Sequence, residues 1–96
     1  MKTFTFYADA GHAWLAVRTS DLEDIGLTLQ EFSPYSYRNG GTVYLEEDCD
    51  AGVFIRQWEA VKGPLPHRSV WHGNRSRIRS YDRLPTAADT SNDIWF

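Results

Sequence analysis

The chain has 96 residues, 42% hydrophobic and 15% aromatic, with a formal net charge of −3. That length suits one domain, the apolar content excludes a wholly disordered chain, and the acidic balance argues against a duplex-DNA binder. No apolar run approaches the ~20 residues of a membrane-spanning helix, and the single cysteine, Cys49, excludes an internal disulfide and a multi-cysteine zinc site.

Residues 2–7 alternate in a β-rich composition, and residues 12–17 are strand-like. Ala8-Asp9-Ala10-Gly11 between them reads as a hairpin turn. The N-terminal stretch forms no apolar signal-peptide core, so a cytoplasmic protein is expected. Ser20-Asp21-Leu22-Glu23 has the pattern of a capping box, and Gly26 reads as a stop. A short helix over about 21–25 is expected, with Leu22 and Ile25 inward.

Residues 31–37 and 42–46 flank Arg38-Asn39-Gly40-Gly41, a second hairpin signal. Tyr35, Tyr37, Val43 and Leu45 are expected to pack that sheet, with Pro34 pushing its strand to an edge or bulge. Asp48 and Asp50 offer caps to a main helix over about 50–61. Phe54, Ile55, Trp58 and Val61 would form its apolar stripe, and Gly63-Pro64 would end it. Residues 67–72 and 75–81, broken by His72-Gly73-Asn74, suggest a third hairpin. The expected fold is α+β: a mostly antiparallel sheet of about four to six strands packed by one principal helix. Residues 1–83 would form the compact domain and 84–96 a mobile tail whose apolar Ile94-Trp95-Phe96 end is able to dock.

Charge is segregated along the chain. Residues 1–61 balance to −6, residues 62–83 to +5, and the remainder to −2. The surface is therefore dipolar.

Gly11-His12-Ala13-Trp14-Leu15, Tyr35-Ser36-Tyr37, the run Tyr44 to Ala51, and the run Arg75 to Tyr81 resemble a family of small uncharacterised proteins encoded by bacteriophages and mobile elements. The resemblance covers most of residues 3–81. It implies a genomic setting and no catalytic residue. By analogy with small phage accessory proteins, it implies a binder that blocks a bacterial host or defence component.

The sharpest local chemistry is Arg75-Ser76-Arg77-Ile78-Arg79-Ser80-Tyr81. In a strand, Arg75, Arg77, Arg79 and Tyr81 would stand in one row ~6.6–7 Å apart, suited to phosphate or carboxylate groups and to base stacking. The competing readings are a charged edge strand that blocks sheet–sheet pairing, or ion pairing with the acidic run 46–50. Tyr35, Tyr37 and Trp71 are candidate interface or stacking aromatics.

Glu46-Glu47-Asp48-Cys49-Asp50 has four carboxylates in five residues. It lacks the spacing and glycine of a calcium loop, so helix capping is the simpler reading and no metal is assigned. Those carboxylates would raise the Cys49 pKa, and Cys49 reads as a small buried thiol. His12, His72 and an arginine can be imagined as the groups of a metal-independent nuclease.

The leading expectation is a non-enzymatic, phage-type binding protein that inhibits a bacterial host or defence protein in the host cytoplasm, without cofactor. The runner-up sequesters a nucleotide or nucleotide-like signal through its Arg/Tyr face. A small nuclease comes third.

Overall fold

The computed structural model describes residues 2–84. Six strands form one sheet: β1 (Phe4–Ala8), β2 (Ala13–Arg18), β3 (Tyr37–Asn39), β4 (Thr42–Glu46), β5 (His67–Trp71) and β6 (Asp82–Arg83), in the order β5-β1-β2-β4-β3-β6. All neighbours are antiparallel except β1 and β5, which are parallel. The expected α+β class with a mostly antiparallel sheet and one principal helix is the observed one.

Two helices accompany the sheet, α1 (Thr19–Asp24) and α2 (Ala51–Lys62). α2 links β4 to β5, and these strands run the same way with β2 and β1 between them. A crossover this wide needs a helix laid across one sheet face. Period-2 alternation decides which side chains meet it. Phe4, Leu15, Val17, Val43 and Leu45 share that face and are buried with Phe54 and Trp58 of α2. The Phe4 ring lies 4.8 Å from Trp58 and 5.4 Å from Phe54, both edge-on. Gly63 ends α2 at φ 89°, a backbone conformation that a side chain would strain.

The opposite face is aromatic. Trp14, Tyr37 and Ile78 are buried there, with Tyr7, Tyr44 and Tyr81 packed around them. Trp14 and Tyr37 meet at 6.2 Å, and Tyr44 and Tyr81 at 5.2 Å. The segment that follows β5 returns across this face, so both faces are partly covered.

Several local expectations are corrected. The α1 cap does not use Ser20: the Asp21 carboxylate accepts from the Arg18 amide at 2.7 Å, one turn earlier. Leu22 and Ile25 are inward as expected. Leu29–Glu31 is a single 3-10 turn, and the second hairpin strand begins only at Tyr37. Tyr35 is therefore outside the sheet and 65% exposed. Asp50 precedes α2 but does not cap it with its side chain; its carboxylate accepts from the Ser33 amide and hydroxyl and from the Ser36 hydroxyl. Val61, expected in the apolar stripe, is 53% exposed, because the buried face of α2 runs through Ala51, Phe54 and Trp58 and ends before its last turn.

The third hairpin is absent among the described residues. β5 pairs in parallel with β1, and Arg77–Ser80 is a 3-10 turn opened by the Ser76 hydroxyl accepting from the Ile78 amide. Leu84 is fully buried in the helix-side core, and its amide donates to the Ser36 carbonyl. Residues 85–96 of the expected tail lie outside the described residues. Among the described residues no helix is long and apolar enough to cross a membrane.

Candidate functional site

β1 and β4 run the same way, so Asp9–His12 and Glu47–Asp50, the turns at their carboxyl ends, lie at one edge of the sheet. Register holds them together: Trp14 pairs with Glu46, and the Glu47 amide donates to the Ala13 carbonyl at 3.0 Å. The segment after β5 comes to the same edge, where the His72 amide donates to the Ala8 carbonyl at 2.7 Å. A pocket of about 290 Å³ opens here. Its lining includes His12, Trp14, Tyr35, Tyr37, Glu46 and Asp48, with Cys49, Arg79 and Arg83.

Asp9 organises one side. Its side chain is fully buried and meets Arg79 in a two-pronged pair, Nε at 2.6 Å and Nη2 at 2.9 Å. It also accepts from the amides of Gly11, His12 and Ser76. The Arg79 guanidinium holds the Asp9 carboxyl well below the usual carboxylate range; burial opposes this, and the three amides assist it. Asp9 raises Arg79 in turn. A side chain on Gly11 would meet the Arg79 guanidinium at 2.9 Å, so glycine is what lets the turn close over it. The Arg79 guanidinium also lies 5.2 Å from the Trp14 ring centre.

Glu46 organises the other side. Its carboxylate is buried, accepts from the amides of Asp48 and Cys49, and faces the half-exposed His12 ring. Arg83 donates to the Pro34 carbonyl at 2.8 Å and sits 5.0 Å over the Tyr37 ring. Cys49 is exposed, not buried as its size suggests. Desolvation by neighbouring atoms pushes its thiol up, and the carboxylates of Glu46, Asp50 and Asp48 add to the effect.

The expected arginine row does not exist, because residues 75–81 are not a strand. Arg79 turns inward to Asp9, not to the acidic run 46–50. Arg75 and Arg77 are exposed and line a separate polar hollow with His72. Tyr81 packs on Tyr44, whose hydroxyl pKa is raised by burial and then by the neighbouring tyrosines Tyr81 and Tyr7. Trp71 is 64% exposed at the end of edge strand β5 and lines neither cavity. Of the residues singled out for binding, only Tyr35, Tyr37 and Arg79 meet in the pocket.

His12 and His72, imagined together in a nuclease, line different cavities. His72 instead bonds the Ser76 hydroxyl at 2.8 Å and packs on Tyr7. Pattern reading assigned no binding role to four pocket residues: Trp14 and Arg83, and Glu46 and Asp48, which it took for helix capping. Glu46 gave a usable signal: it follows buried Leu45 at the strand's end, where alternation places it on the same face as Tyr44. No protein-family model, curated protein or solved structure matches the chain.

Proposed function

We propose that this protein is a non-enzymatic binding protein of the phage accessory type, and that it inhibits a bacterial host or defence protein by occupying its surface through the pocket at the ends of β1 and β4. The observation that carries this reading is the exposed Tyr35 beside a pocket walled by buried Trp14 and Tyr37 and rimmed by Arg83. Large rings and an arginine around a water-excluding centre are the composition of interface hot spots. The four segments that carry the family resemblance also supply most of the pocket's lining.

Charge weighs against a nucleotide-like ligand. Glu46 and Asp48 line the pocket, and Asp9 already neutralises Arg79. A phosphate would meet two carboxylates, with Arg83, whose charge no carboxylate balances among the described residues, as the nearest cation in the lining. Two further observations favour binding over catalysis: the raised Cys49 pKa leaves little thiolate, and His12 and His72 line different cavities.

The test is a pull-down from bacterial lysate with wild type, Tyr35→Ala and Arg83→Ala side by side. A protein retained by wild type and lost from both variants supports the reading. A protein retained equally by all three places the contact elsewhere and overturns it. A nucleotide co-purifying with wild type alone favours the ligand-sequestering alternative.

A further inference from the structure

The two oxygens of Glu46 have different partners. Oε2 accepts from the Asp48 amide at 2.8 Å and the Cys49 amide at 3.0 Å. That clamp leaves Oε1 facing His12 Nδ1, 3.3 Å away. Asp48 stands on the same turn, exposed, and among the described residues its carboxylate accepts no hydrogen bond. One ligand atom from each of His12, Glu46 and Asp48 lies within 4.8 Å of the other two.

We propose that His12, Glu46 and Asp48 bind a divalent transition-metal ion of the zinc type. The acidic run alone does not make this site. Its third donor is an imidazole from a different turn, 34 residues away from Glu46, brought there by the β2–β4 register.

The distances leave room for an ion between the donors. Charge-assisted N–H···O bonds usually close to ~2.7–2.9 Å. With metal bonds of ~2.0–2.2 Å, neighbouring ligands of a tetrahedral ion stand about 3.4 Å apart. The His12–Glu46 separation of 3.3 Å meets that spacing. Asp48 has further to move, and an exposed side chain can turn inward without breaking a contact.

Donor chemistry and charge agree with this assignment. One imidazole and two carboxylates suit zinc, iron or manganese; calcium takes oxygen ligands alone. Asp9 cancels the Arg79 charge, and the Pro34 carbonyl holds Arg83, so the two pocket carboxylates outweigh the cations beside them. The ligands are also supported from behind. Asp9 accepts from the His12 amide at 3.0 Å, and the amides of Asp48 and Cys49 fix Glu46. Three protein ligands would leave the fourth position of a tetrahedral ion to water or another ligand.

The experiment uses the full chain, stripped with a chelator and titrated with zinc by calorimetry, so its result is independent of any partner. Wild type should bind one zinc per chain and melt at a higher temperature when loaded. Asp48→Asn should weaken binding at least tenfold while keeping the metal-free melting temperature of wild type. His12→Ala should abolish saturable binding. Cobalt in place of zinc should give the visible bands of a tetrahedral site in wild type and lose them in both variants. The proposal is overturned by the absence of saturable zinc binding in wild type. It is equally overturned by binding that Asp48→Asn leaves unchanged, which would place the metal on His67, His72 or Cys49. If His12→Ala does not fold, Asp48→Asn alone decides.

Discussion

Arg79 Nε stands 2.6 Å from Asp9 Oδ2, although 70 positions separate the two residues in the chain. The pair ties the turn after β1 to the segment after β5 and forms one wall of the pocket. Removing one partner of a buried pair leaves the other charge stranded. Arg79→Ala should therefore lower stability by about 3 kcal/mol in urea denaturation. Arg77→Ala, on an exposed side chain two residues earlier, should change it by less than ~0.5 kcal/mol.

The same pair sets an acid limit. The folded Asp9 pKa lies below its unfolded value of about 3.9, so the unfolded chain binds the proton more readily. The stabilisation is fully present above that unfolded value and declines as pH falls towards the folded one. Urea midpoints measured from about pH 2 to pH 6 should fall on the acid side for wild type. The acid limb should be flatter for Asp9→Asn, whose uncharged side chain has no such linkage.

Trp58 closes the helix-side core against Phe4 and Phe54, yet its buried indole nitrogen has no hydrogen-bond partner among the described residues. Trp58→Ala should cost ~3–5 kcal/mol, enough to unfold a domain of this size. Trp58→Phe should cost much less, because it removes the unpaired N–H along with part of the ring. Melting temperatures of the two variants check both statements, and an unchanged value for Trp58→Ala would remove α2 from the core.

Cys49 is exposed but its thiol pKa is raised. A raised pKa means less thiolate at neutral pH, so iodoacetamide should alkylate the folded protein more slowly than a free cysteine. Unfolding in urea should restore the ordinary rate. Alkylation at the free-cysteine rate in the folded state would refute the electrostatic account of this site.

Local signals were legible where chemistry is local. The turn at Asn39-Gly40, the stop at Gly63, the inward Leu22 and Ile25, and the stripe through Phe54 and Trp58 all follow from backbone freedom or periodicity within a few residues. The arginine run misleads for the same reason. Alternating polarity over 75–81 has strand period, but Ser76 caps a 3-10 turn through its own hydroxyl, and buried Asp9 draws Arg79 out of any row. A one-dimensional pattern carries no information about a carboxylate 70 residues upstream.

Composition and periodicity set the class of the fold: enough apolar surface for one core, two hairpin signals, and one helix with an apolar stripe to cover the sheet. Composition also set the inventory of chemistry, a few histidines and one cysteine amid separated acidic and basic runs. Tertiary structure alone decided which of these groups meet. Parallel alignment of β1, β4 and β5 gathers their carboxyl ends at one edge, and the β2–β4 register then sets His12 beside Glu46 and Asp48. The physical reason is that strand pairing converts sequence separation into a lateral spacing of ~4.8 Å, and nothing in a local window encodes which strands become neighbours.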